Sequence, residues 1–282
     1  MRRGSSSVDR SAGRQAEIAD ATAPVRTPCA TSLRLQPMHL YALRHAKSEY
    51  PALPNAWAER PISPVEGRDR ERTSIGFGSF NPLAGAVPAL PDRATMPMVS
   101  CWSGWYPTDA IADHGVYPRD FRTWQPAAWD ALDEVLDWLA PQLTELDMTL
   151  VLRPHARHVL SDAQACMNFL QRHDSERLGI LLDPAATLTV DMLDLAEDHL
   201  VRAFEALASH PRVPAIVLTN LEMVETGETD GGVELRTSPL HRGVLDDGLL
   251  IDLATEHGGG KPIVLLEEQL ARQLALVHAR LR

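Results

Sequence analysis

The sequence predicts an α/β fold: a parallel (β/α) barrel-like sheet, incomplete at its N-terminal side. Three observations predict it. From residue 97 to the C-terminus, short apolar runs alternate with amphipathic segments. The runs are apolar at every position, the mark of strands buried on both faces in a parallel sheet with helices outside. Only five such β/α units fit into 97–282, whereas a complete eight-stranded barrel takes about 250 residues.

The elements follow in order. "PMVSCWSGWY" reads as a buried strand and a loop. "TWQPAAWDALDEVLDWLAPQLTELD" reads as a helix, because Trp129, Leu132, Val135, Leu136, Leu139, Leu143 and Leu146 recur mostly three and four apart. Pro126 fits its first turn, and Pro141 marks a kink position. "MTLVLRPH" is a strand, and "SDAQACMNFLQRH" is a helix opened by Ser161 and Gln164 as a capping box. "LGILLDP" is a strand, followed by "TVDMLDLAEDHLVRAFEALASH" as one long amphipathic helix. "VPAIVLTNL" is a strand, "DDGLLIDLATEHGG" a helix ending in glycines, "KPIVLLEE" a strand, and "QLARQLALVHARLR" the closing helix.

Upstream the text differs. Residues 1–37 are rich in Arg, Ser and Ala without periodicity and read as a disordered tail, lacking the apolar core of a secretory signal. Residues 38–96 hold a strand candidate at Met38–Ala46, a weaker one at Thr73–Phe80, and Pro/Gly-dense text from Tyr50 to Pro97. So long a loop is uncommon inside a compact domain. The barrel-like domain is therefore placed at 97–282.

Composition bounds the function. At 44% hydrophobic and 23% charged, the chain is of soluble globular type. A net charge of −11 argues against an extended nucleic-acid face. No apolar run reaches the roughly 18–20 residues that span a bilayer, so no membrane partner is expected. Cys29, Cys101 and Cys166 are far apart with no CxxC, which suggests neither a disulfide framework nor a zinc ribbon and fits a reducing cytoplasm. None of these features sets an oligomeric state.

In parallel α/β folds the chemistry sits at the C-terminal ends of strands. Those ends carry Trp102 and Trp105; Arg153 and His155; Asp183; Thr219, Asn220 and Glu222; then Glu267 and Glu268. Asp183 and Glu267 are candidate ligands, and candidate acid–base groups, for a divalent Mn, Mg or Zn ion. Trp102, Trp105 and Tyr106 either stack on a sugar ring or pack loops. His158 and His173 fall near helix ends, where capping roles are common. "GGGK" at Gly258–Lys261 follows a helix and precedes a strand, the wrong order for a phosphate loop.

The segment "MTLVLRPHARHVLSDAQACMNFLQRHDSERLGILLDPAATLT", with the helix before it and "PIVLLEE" at the end, resembles the xylose-isomerase-like barrel family of sugar phosphate isomerases and epimerases. The resemblance covers about Pro97 to Arg282. It implies isomerisation or epimerisation of a small sugar or sugar phosphate, with metal-held oxygens and carboxylates moving a proton between adjacent carbons. Carried across, the family's metal residues are half present. The strand Glu falls on Arg153, Asp183 is retained, the following His or Asn falls on Ala186, the next ligand His falls near Val217, and Glu267 is retained. Arg153 would repel a cation. Either it forms an ion pair with the remaining carboxylates, or with His155 it contacts substrate in a metal-free reaction. A non-catalytic sugar-binding or scaffolding relative is the alternative.

A second resemblance opens the chain. "LYALRHAKSEYP", with "RPISPVEGR" at Arg60 to Arg68, is similar to the start of the histidine phosphatase family. It implies a phosphorylated His45 with Arg44 holding the phosphate. That family's later helix, second Arg, acid residue and strand-end His do not follow in order, which makes a phosphatase the further alternative.

Overall fold

The computed structural model describes residues 40–43, 63–66, 75–78, 81–85, 87, 89–90, 97–108, 116–225 and 232–282. Arg44, His45 and most of the Pro/Gly-rich text lie outside them.

Five β/α units follow one another as the sequence predicts. They are β4 (Met98–Trp102) with α1 (Pro126–Glu145), β5 (Thr149–Arg153) with α2 (Ala163–Arg172), and β6 (Leu178–Leu182) with α3 (Ala196–Ala203). Then come β7 (Ala215–Val217) with α4 (Asp247–His257), and β10 (Ile263–Leu266) with α5 (Leu270–Arg280). A hairpin of β8 (Asn220–Glu225) and β9 (Val233–Ser238) is inserted after β7. Three strands precede these units: β1 (Leu40–Leu43), β2 (Ser63–Glu66) and β3 (Ile75–Gly78).

The large sheet runs β2-β1-β10-β7-β6-β5-β4-β3. All its pairings are parallel except β1 with β2. Neighbours in space are neighbours in sequence, and the first strand lies against the last, as in a (β/α) barrel. Among the described residues no pairing joins β2 to β3, and the sheet is curled into a half-barrel. The break falls on the N-terminal side, next to the antiparallel strand β2.

Strand parity sorts the apolar residues onto two faces. Val99, Cys101, Leu150, Leu152, Ile180, Leu182, Ile216, Ile263 and Leu265 pack outward with the helices. Val151, Leu181, Ala215, Val217, Val264 and Leu266 form a separate inner cluster. On α1, Ala128, Leu132, Leu136, Leu139 and Leu143 are the buried stripe, and the helix continues through Pro141 to Glu145.

Three local expectations change. The cap of α2 is Asp162, whose Oδ1 accepts from Ala165 N–H at 2.8 Å, not Ser161. Gln164 instead donates to Asn168 one turn on. The long helix expected at 189–210 is a 3-10 segment (Val190–Leu195), then α3, then a π turn (Phe204–Ala208). "VPAIVLTNL" is split, so that Asn220 and Leu221 begin the hairpin.

Gly179 lies on the inner face of β6. A Cβ there would come within 2.4 Å of the Arg212 carbonyl oxygen. Gly179→Ala is expected to destabilise the fold by about 1–3 kcal/mol, read as a lower urea midpoint with an unchanged denaturant slope.

Candidate functional site

The same parity that builds the inner cluster carries Trp102, Arg153, Asp183 and Thr219 to the mouth of the half-barrel, at the C-terminal strand ends. Trp102 and Arg153 are register partners on β4 and β5. The Arg153 guanidinium carbon lies 4.5 Å from the Trp102 ring centroid, a cation–π contact.

Arg153 and Asp183 are both fully buried. Arg153 Nε and Nη2 donate to Asp183 Oδ2 at 2.9 and 2.5 Å. Asp183 Oδ1 accepts from Thr219 Oγ1 at 2.8 Å and from the Ala186 N–H at 3.4 Å. An ionised carboxylate offers about four lone-pair sites, and here all of them are taken. Arg153 Nη1 is buried and has no hydrogen-bond partner among the described residues.

Above this pair sits a cluster of rings. His155, Ala156, Arg157 and His158 form a turn, closed by the His158 N–H to the His155 carbonyl at 2.8 Å. The Arg157 N–H donates to His155 Nδ1 at 3.0 Å, so the proton of the neutral imidazole belongs on Nε2. His158 stacks on Trp105 at 4.9 Å and meets the Trp102 and Tyr117 rings edge-on at 5.0 and 4.3 Å. Neither ring nitrogen of His158 has a partner among the described residues. Burial, and then repulsion by Arg153 and Arg157, lowers the pKa of His155 to about 3. Burial, with repulsion from His155 and Arg153, holds His158 well below its ordinary value.

Backbone bonds lock these loops together. Val159 N–H reaches the Gly104 carbonyl, Leu160 N–H reaches Ser103 Oγ, and Ala156 N–H reaches the Ala186 carbonyl. Asn81 holds the Trp105 peptide from both sides, through its Nδ2 to the carbonyl and its Oδ1 from the N–H. A cleft beside His155 and Tyr117 encloses about 10 Å³, room for about one water.

The remaining strand ends serve structure. Asn220 bridges Leu245, Leu221 and Asp247. Glu222 pairs with Arg236 and Glu268 with Arg242. Glu267 is exposed, unlike buried Asp183. Among the described residues no three His, Cys, Asp or Glu side chains converge on a metal-sized site. With Asp183 saturated by Arg153, Thr219 and Ala186, the residues present do not fit the divalent ion that the resemblance implies. Thr219 joins the mouth as the strand-end position predicts, His158 joins it in place of a helix-end role, and Tyr117 and Gln273 join it with no sequence signal of their own. Gln273 is buried on α5 and donates to the Leu266 and Glu268 carbonyls, which sets the end of β10.

A half-barrel α/β protein with its mouth closed by an ion pair is thus the class that fold and site define. No family model matches the chain, the histidine phosphatase family included, and no curated protein matches it. Among solved structures, the chain is similar to a xylose isomerase domain protein from Planctomyces limnophilus: 17% identity, 66% of this chain, 58% of that one, TM-score 0.46. It is also similar to a xylose isomerase-like TIM barrel protein from Mycobacterium smegmatis in complex with magnesium: 13% identity, 68% and 64% coverage, TM-score 0.43. A third is L-ribulose 3-epimerase: 16% identity, 64% and 54% coverage, TM-score 0.39. The chain spans less than two thirds of the length of each of these.

Asp183→Asn leaves the Arg153 charge buried without its counter-ion, and is expected to cost about 3–5 kcal/mol in chemical denaturation. Replacing both partners, Asp183→Leu with Arg153→Met, should recover most of that loss.

The two histidines set a pH dependence. Each folded-state pKa lies below the unfolded value, so below about pH 6.5 the unfolded chain binds protons that the folded chain refuses, for His155 down to about pH 3. Stability is full above that window and falls as pH drops through it, by up to about 1.4 kcal/mol per pH unit for each histidine. Urea midpoints at about pH 7.5 and 5.5, where carboxylates stay ionised, should show the fall, and His158→Phe should reduce it by about half.

Proposed function

We propose that this chain is a non-catalytic relative of the sugar isomerases and epimerases, which binds a small sugar-class molecule at the half-barrel mouth without metal and without turnover. The observation that carries the reading is the state of Arg153. Its Nε and Nη2 occupy Asp183, which removes the carboxylate ligand a metal would need, while Nη1 is buried with no partner among the described residues.

Buried polar atoms are almost always hydrogen-bonded. Arg153 Nη1 is a donor, and a neutral His158 supplies one donor and one acceptor. Both residues touch the Trp102 ring. A guest for such a site must both accept and donate hydrogen bonds and present an apolar face to aromatic rings. A sugar does this: its hydroxyls do both, and its C–H face stacks on indole or phenol. In the present conformation the rings pack on one another, so a guest enters as they part.

Catalysis is disfavoured for a separate reason. Proton transfer between carbons needs a base with a free lone pair; Asp183 has none, and His158, whose lone pair is free, is a weak base because burial, with repulsion from His155 and Arg153, holds its pKa well below the ordinary value. His155 Nδ1 is committed to the Arg157 N–H.

The test combines metal analysis with thermal melts. Purified protein is expected to carry no stoichiometric divalent ion, and Mn²⁺ or Mg²⁺ should leave its Tm unchanged. Members of a panel of sugars and sugar phosphates should raise Tm and be recovered unconverted. A metal-dependent rise in Tm, or interconversion of any panel member, sinks the reading.

A further inference from the structure

The β8–β9 hairpin is fastened across the mouth by an ion pair between residues far apart in the chain. Arg157, on the turn after β5, donates from Nη2 to both Glu234 oxygens at 2.7 Å. Arg157 and Glu234 border the cleft walled by Tyr117, His155 and Leu188.

We propose that Arg157 is the receptor for an anionic group on the bound sugar, and that Glu234 is a built-in substitute that keeps the mouth shut until such a group displaces it. This rests on the reading of the mouth as a sugar-class site, and adds that the ligand is a sugar phosphate or a sugar acid.

The geometry of the pair supports it. A guanidinium holds a carboxylate or phosphate best as a fork, with two parallel N–H···O bonds from two nitrogens. Here a single nitrogen serves both oxygens, so Glu234 holds Arg157 without using the fork. An incoming oxyanion that engages two nitrogens gains a bond that Glu234 does not make.

The surroundings favour exchange. Glu234 retains about a quarter of its side-chain exposure and Arg157 about a tenth, so the pair is within reach of solvent. Among the described residues the hairpin strands pair only with each other. Burial declines from Asn220 and Ser238 at the base to Glu225 and Val233 toward the tip. A two-stranded ribbon is marginally stable by itself; Leu221 and Leu235 hold it in the core, so Glu234 leaves Arg157 by rotation of its own side chain. Behind the latch lies His155, held neutral, which adds no charge to compete with Arg157. Release of Glu234 opens the route to Tyr117, His158 and Arg153 Nη1.

The experiment is calorimetric titration of the wild-type chain, Glu234→Gln and Arg157→Gln with glucose, glucose 6-phosphate, gluconate and inorganic phosphate. Thermal melts confirm that each variant is folded. Glu234→Gln is expected to bind glucose 6-phosphate or gluconate about fivefold tighter than wild type, the upper end for a partly exposed ion pair removed from competition. Whichever anion responds identifies the phosphate or the carboxylate as the group recognised. Arg157→Gln should bind both anionic sugars no better than glucose. Equal affinity in wild type and Glu234→Gln, or anion binding that survives Arg157→Gln, overturns the proposal. Equal glucose binding by all three with no preference for anions leaves the sugar site standing and removes the latch. Absence of binding of any probe to any variant removes both.

Discussion

The Arg153–Asp183 ion pair is the constraint around which the mouth is organised. Burying two charges costs several kcal/mol per ion unless each is paired and hydrogen-bonded, so the pair dictates what stands near it. Thr219 must offer its hydroxyl, the loop after β6 must turn its Ala186 N–H inward, and Trp102 must lie over the guanidinium. A carboxylate that meets those demands has no capacity left for a cation. The charge type at this one strand end, a guanidinium paired to the neighbouring carboxylate, thus decides what chemistry the site supports.

The ring cluster follows from the same pair. Burial first, and the buried Arg153 charge in support, disfavour further positive charge here, so His155 and His158 remain neutral. Neutral imidazoles pack against indole and phenol without the desolvation cost of an ion. The mouth is therefore apolar in composition yet holds orphan donors and acceptors, a combination suited to a polyol more than to water or a bare ion. The latch at Arg157 and Glu234 is the outward edge of this arrangement, where solvent reaches the charges.

Much of the fold was legible from residue 97 onward, because strands buried on both faces write continuous apolar runs and helices write a period near 3.6. The strand ends Trp102, Arg153 and Asp183 were legible because parity and topology together fix them at the mouth. The partnership of Arg153 with Asp183 was also readable, since a buried Arg must find a carboxylate. The role of Glu267 was not, because its exposure depends on how Gln273 on α5 ties off the end of β10. His158 was read as a helix-end residue, because nothing local to it reveals the three aromatic rings brought in from distant loops. The β8–β9 hairpin did leave a signal: Asp230-Gly231-Gly232 stands between two stretches suited to strands. The stronger apolar run just before it masks that signal. The break in the helix at 189–210 is a tertiary effect, with the amphipathic pattern continuing through segments of 3-10, α and π geometry.

The pairing of β1 with β10 has a consequence for how the molecule is made. Leu40 to Leu43 emerge from the ribosome more than two hundred residues ahead of their partners, Ile263 to Leu266. Each intervening β/α unit can dock on the one before it as it appears, through contacts that are local in sequence. One edge of the first strand can pair early with β2, but the other edge waits, its backbone donors and acceptors unclaimed, until β10 has been made. Contacts of such long range form late, because loop closure is costly until the rest is in place. In the nascent chain, this waiting strand is the segment most open to capture by another molecule.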